Sequence, residues 1–198
     1  MREAIWSGDL QPGMPLREAH LATQLNVSQV PVREALLQLE HLGLVVRVPD
    51  RGTTVTTLTR QEIDDMLEVR RHLEALAFSR AAKRLKPTDV TELKTHLQRM
   101  EEAVAKNDHF GVAEQDFAFH RVVWRVGGNV ALTATLERLC TALYAFVSLK
   151  RHAAGESMKS AVAAHTRLLR ALRTSDAQRA AEAVQEHLSS PDVVPASL

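Results

Sequence analysis

Apolar positions in this chain recur first at helical spacing, then at strand spacing, then at helical spacing again. Within Val27–Gly43, Val32, Ala35, Leu36 and Leu39 repeat at helical intervals and face inward, which leaves Gln29, Val30 and Arg33 together on the opposite side. Ser28 stands where its hydroxyl is expected to cap that helix, Pro31 is tolerated in the first turn, and Gly43 ends it. A shorter helix is expected over Leu16–Leu25, joined to the next by the turn Asn26-Val27-Ser28. Leu44–Val48 and Thr53–Thr57 are β-rich runs separated by Pro49-Asp50-Arg51-Gly52, a hairpin loop. Helix, turn, helix and hairpin predict a winged helix over residues 1–58. Only about Arg2–Trp6 remains as its first helix before Gly8 interrupts, so Ile5 and Trp6 are expected to anchor that small domain.

From Thr59 onward the pattern is helical, divided by breakers. Thr59-x-x-Glu62 is a capping box opening a helix to about Leu85, and Lys86-Pro87-Thr88 separates it from Asp89–Lys106. Asn107-Asp108 starts a third helix, to about Val126, and Gly127-Gly128-Asn129 precedes a fourth, to about His152. A fifth lies within Ser157–Arg173, and Ser175-Asp176 caps a sixth ending before Pro191. The fold class expected is therefore mostly α: a winged helix-turn-helix with a small β-hairpin wing, then an antiparallel six-helix bundle over 59–190 and a tail over 191–198.

Composition changes this picture little. A chain of 198 residues, 45% hydrophobic and 25% charged, has enough apolar material for ordinary globular domains. Cys140 is the single cysteine, which excludes an internal disulfide and suits a reducing compartment. No basic-then-apolar leader and no apolar run long enough to span a bilayer is read, so a cytoplasmic protein without a membrane partner is expected. Charge is less helpful: Arg2, Arg17, Arg33, Arg47 and Arg51 in the winged region face Glu3, Asp9, Glu18, Glu34, Glu40 and Asp50. That near-balance argues against strong nonspecific DNA binding, which needs a basic footprint.

The chemistry lies in polar residues on apolar faces. The third bundle helix carries the stripe Ala113, Asp116, Phe117, His120, Val123, Trp124; the fifth places His165, and the sixth His187, among alanine, valine and leucine. Burying three imidazoles and a carboxylate separately is expensive, whereas gathering them round one cation satisfies all four. Asp116, His120, His165 and His187 thus form a candidate shell for a divalent metal, zinc first, with nickel or manganese as alternatives. The competing reading makes each a core histidine satisfied by a backbone carbonyl. Arg70 lies in another apolar stripe, where it either recognises a carboxylate or pairs with Glu74 one turn on. His20, His41, His72, His96, His109 and His152 are read as solvated or locally bonded.

The string Gly8-Asp9-Leu10-x-Pro12-Gly13, Leu16-x-Glu18-x-x-Leu21-Ala22, Val27-Ser28, Pro31-Val32-Arg33-Glu34-Ala35-Leu36 and Leu42-Gly43-Leu44 resembles the GntR family of bacterial transcription regulators. Asp-x-x-x-His followed by a histidine on each of the last two helices resembles the FCD ligand-binding domain of the FadR subfamily, nearer its six-helix, VanR-like variant. The resemblance implies a DNA-binding regulator, commonly a repressor, that dimerises over a near-palindromic operator and responds to a small carboxylic acid. It assigns DNA contacts to Ser28, Gln29, Val30, Arg33, Arg51 and Gly52, the metal to Asp116, His120, His165 and His187, and the effector's carboxylate to Arg70. Where the family usually has Ser-Arg-Thr-Pro this chain has Ser28-Gln29-Val30-Pro31, which removes an arginine able to fork onto guanine and favours adenine through Gln29. Two other classes stay open: a metal-dependent hydrolase, with no evident general base, and a dimeric protein that has lost DNA binding.

Overall fold

The computed structural model describes residues 1–48, 52–155, 157–190 and 193. The winged part holds α1 (Arg2–Trp6), β1 (Pro15–Leu16), α2 (Glu18–Leu25), α3 (Gln29–His41), β2 (Val45–Val48) and β3 (Gly52–Val55). Six longer helices follow: α4 (Arg60–Ala82), α5 (Pro87–Ala105), α6 (His109–Gly127), α7 (Val130–Ala154), α8 (Lys159–Leu172) and α9 (Ala177–Leu188).

Local chemistry accounts for the boundaries. Thr59 Oγ1 accepts from the Glu62 backbone N–H while the Glu62 carboxylate accepts from that of Thr59, completing the capping box that starts α4. Asp108, Asn129 and Asp176 cap α6, α7 and α9 with their side chains. Asn26 closes α2 in the left-handed region at φ 53°, which lets α3 leave at a sharp angle. Ser28 occupies the cap position of α3 but makes no side-chain hydrogen bond there, contrary to expectation.

A second departure is β1. Leu16, expected to open α2, instead pairs with Thr53, and Pro15 with Thr54, giving an antiparallel sheet of order β1-β3-β2. A two-residue strand has no alternation to read, and its partner lies far along the chain. Leu16 joins Ile5, Leu21, Val32, Leu36, Leu39, Leu44 and Val55 in the core of the winged part. Ile5 is the expected anchor, but Trp6 is only partly buried there and also packs on Phe117 and Tyr144 of the bundle.

Helix α7 is shared between the two parts. Ala145 sits in the winged-helix core, whereas Leu136, Cys140 and Tyr144 pack with Ala77 and Trp124. Serving two cores makes α7 apolar nearly all round. It is long and apolar enough to cross a membrane by length and composition, contrary to the sequence reading, yet 56% of its most apolar window is buried inside the protein. The bundle's own core lies between α4, α6, α8 and α9, built round Phe78, Phe119, Leu168, Leu172 and Val184.

Candidate metal centre

Asp116 and His120 lie one turn apart on α6, and His165 on α8 and His187 on α9 converge on them. His120, His165 and His187 each offer a ring nitrogen, and these nitrogens lie within 4.8 Å of one another. Asp116 Oδ1 is 3.2 Å from His165 Nε2 and 3.6 Å from His120 Nε2. The four residues selected from the stripes are thus neighbours in space.

The hydrogen bonds behind the rings decide which nitrogen faces the centre. His165 Nδ1 donates to the Ala161 carbonyl at 2.9 Å, and His120 Nδ1 donates to Glu74 Oε2 at 2.5 Å. A carbonyl or a carboxylate can only accept, so the second nitrogen, Nε2, keeps its lone pair on the inner side. Both Nε2 atoms are buried without a hydrogen-bond partner. Each buried, unsatisfied polar atom costs about 1–3 kcal/mol, and a shared cation would relieve both. The donor set of three imidazoles and one carboxylate therefore fits a divalent metal.

Electrostatics agree with that fit. Burial disfavours the ionised carboxyl of Asp116, but His165, His120 and His187 outweigh it and hold its pKa well below the usual value. Burial also works against a proton on His165, and Asp116 reverses this, raising the imidazole above its ordinary pKa. A cation must therefore compete with a proton at His165. Burial and the charges of His165 and His120 push His187 down to about 2, which keeps it a neutral, ligand-competent ring.

Behind His120 lies a salt bridge that sequence reasoning saw only in part. Arg70 Nε donates to Glu74 Oε1 at 2.7 Å, so Glu74 is held by Arg70 on one oxygen and His120 on the other. The structure takes the ion-pair option for Arg70, which nonetheless lines a cavity of about 70 Å³ together with Asp116, His165 and His187. A water needs about 10–15 Å³ on this measure, so the space suits several waters or one small acid. One hydrogen bond on each oxygen thus fixes the Glu74 carboxylate between Arg70 and His120.

Two further residues of the site were missed. His109, read as solvated or locally bonded, is buried and lines the cavity; it stands seven residues before Asp116 on the same helical stripe, a spacing that could have revealed it. Tyr144 donates from its hydroxyl to Asp116 Oδ1 and accepts from Arg70 Nη2; as the chain's single tyrosine on an otherwise apolar helix, it was also findable.

In the winged part Gln29 and Val30 are exposed at the start of α3, Val30 with 62% of its surface free, and Ser28 is exposed beside them. Arg33 forks onto one oxygen of Glu18, Nε at 3.0 Å and Nη2 at 2.9 Å, so part of its donor set is spent on bracing α2 against α3. Gly52 adopts φ 81° with open space around it, a conformation that favours glycine at the wing. Arg51 lies outside the described residues.

Comparison with known proteins covers both parts. Residues 65–190 match the FCD domain, and residues 1–55 match the bacterial regulatory proteins of the gntR family. The chain is 29% identical over 139 residues to the HTH-type transcriptional regulator McbR of Escherichia coli (strain K12), covering 70% of this chain and 63% of that protein. It is 28% identical over 186 residues to the probable D-xylose utilization operon transcriptional repressor of Paenarthrobacter nicotinovorans, covering 94% and 81%. The solved structure of E. coli McbR/YncC superposes with a TM-score of 0.83 at 25% identity, covering 94% of this chain and 89% of that one.

Proposed function

Because the chain belongs to the gntR family of bacterial regulatory proteins and carries an FCD domain behind its winged helix, we propose that it is a cytoplasmic DNA-binding transcription repressor controlled by a small organic acid at a divalent metal. The repressor sense follows the printed role of the Paenarthrobacter relative. One observation supports the effector half above the rest: the buried, unpartnered Nε2 atoms of His120 and His165 meet beside Asp116, and Asp116 and His165 line a cavity.

In this reading Asp116, His120, His165 and His187 hold the ion, zinc before nickel or manganese. The ion, when bound, supplies a Lewis-acid anchor for a carboxylate. Glu74 and the Ala161 carbonyl fix the His120 and His165 tautomers, so these rings need no rearrangement to present their lone pairs. Arg70 keeps Glu74 in place and adds positive charge to the cavity wall, which favours an anionic effector over a neutral one. A homodimer sets two winged helices on half-sites about 34–36 Å apart, and the acid shifts operator affinity only if it prefers one arrangement of the domains.

Gln29 and Val30 head the recognition helix, and a glutamine reads adenine while valine methyls suit the thymine methyl group. Selection from randomised duplex DNA should therefore enrich a near-palindrome with A·T pairs in each half-site. Arg33 adds a phosphate contact from its exposed edge, so Arg33→Ala should weaken binding across sequences and lower the salt slope by about 1 per protomer. Failure to enrich any sequence would favour the dimeric protein that no longer binds DNA.

A further inference from the structure

Tyr144 touches both halves of the molecule. Its hydroxyl donates to Asp116 Oδ1 at 2.5 Å and accepts from Arg70 Nη2 at 2.6 Å. Through Arg70 and Glu74 the same line of hydrogen bonds reaches His120, so the sequence Asp116, Tyr144, Arg70, Glu74, His120 half-encircles the candidate metal centre. On its other side the ring lies nearly parallel to Trp6, 12° between planes and 6.5 Å between centroids. Phe117, the residue after Asp116, stands 5.1 Å from Tyr144 and 5.6 Å from Trp6.

Trp6 is the last residue of α1 and belongs to the winged part. Its Nε1 is buried with no hydrogen-bond partner among the described residues, so packing against these two rings is what places it. Two residues on, Gly8 at φ 85° brings the chain so near α7 that a Cβ there would stand 2.7 Å from Leu149 Cδ2. Helix α1 and the turn after it thus approach α7 at two successive points, and one of them is the Tyr144 ring.

We infer that Tyr144 is the positioning residue that reads occupancy of the cavity and passes it to the winged helix through Trp6. The inference rests on the metal centre proposed above. A phenol has one hydrogen to donate, and Asp116 Oδ1, which now takes it, also faces the imidazoles of that centre. When Asp116 turns to a cation the hydroxyl loses that acceptor, and when an acid's carboxylate draws off Arg70 it loses a donor, so either event releases the ring from its present position. Close packing then makes the ring's displacement a displacement of Trp6 and Phe117, because a packed cluster cannot absorb it locally.

The test uses the full chain, Zn²⁺ alone as the probe, a chelator as reference and the duplex selected with the wild-type protein. At saturating Zn²⁺ the wild type should change DNA affinity at least fivefold, the lower end of common coupling strengths, and should change amide exchange in residues 2–10. Tyr144→Phe keeps the ring and loses the hydroxyl: it should still bind Zn²⁺, within about tenfold, but shift DNA affinity less than twofold and leave residues 2–10 unchanged. Trp6→Leu, which touches none of the four candidate ligands, should keep zinc affinity and lose the same coupling. A full shift in either variant overturns the inference and leaves the metal centre standing, as does wild-type zinc binding without any shift. No zinc binding by calorimetry, with no exchange change in α8 or α9, overturns the metal centre and the inference together.

Discussion

His165→Ala is expected to lower zinc affinity by at least about 100-fold, measured by competition against a chelator at pH 7. Structural zinc sites bind with roughly 10–16 kcal/mol shared among four ligands, so one ligand carries about 3 kcal/mol, and each 1.4 kcal/mol is tenfold. His165 is 1% exposed and its Nδ1 is fixed by Ala161, so no water-borne group can take its place without opening the bundle. His109→Ala is the matched control: it removes a buried imidazole from the same cavity but outside the cluster, and should leave zinc affinity within a few-fold. Equal losses in both variants would mean that the cavity's packing, not the ligand set, governs binding.

Glu74→Ala should destabilise the metal-free protein by about 3–5 kcal/mol in urea unfolding, a large share of the roughly 5–15 kcal/mol of a typical domain. Glu74 is fully buried, and its loss strands the Arg70 guanidinium, 3% exposed, and the His120 Nδ1–H. Replacing both members, Arg70→Met with Glu74→Met, should recover much of the loss, because the buried charge goes with its partner. A cost below about 1 kcal/mol for Glu74→Ala would show that water reaches the pair.

Acid should expose the same network in two stages. His187 is depressed from 6.5 to about 2 and is neutral in the fold, so the stability linked to it is complete above pH 6.5 and is lost as pH falls from there. Burial opposes the ionised Glu74, but His120 and Arg70 bring it from 4.5 to about 2, so its contribution is complete above pH 4.5 and is lost between 4.5 and 2. His165 runs the other way: its raised pKa gives stability that is complete below 6.5 and declines as pH rises through the folded value. Glu74→Gln should remove the Glu74 share of the loss between pH 4.5 and 2, while the His187 share continues through that range.

Much of this architecture was legible because helices announce themselves locally. Thr59 with Glu62, Asp108, Asn129 and Asp176 are capping signals within a few residues of the bonds they make, and four of the bundle's six helices follow from them. Asp116, His120, His165 and His187 were found because each interrupts an apolar stripe, and the structure brings them together. What escaped depended on distant partners. Pro15–Leu16 becomes a strand only because Thr53 and Thr54 arrive beside it, and Trp6 is shared between two cores because Tyr144 and Phe117 offer it a second one. Glu74 could be paired with Arg70 from spacing, but its bond to His120 spans two helices that no local pattern connects.

Helix α7 carries a consequence for how such a chain can change over time. A residue such as Ala145 is floor to the winged part, while Tyr144 beside it is wall to the cavity, so neighbouring positions answer to different constraints. A substitution at Tyr144 that reshapes the cavity alters the helix on which the winged part rests. In the proposed role, ligand preference and DNA reading are therefore not separable traits: drift in one is filtered through the other, and the exposed face of α5 is freer ground for variation.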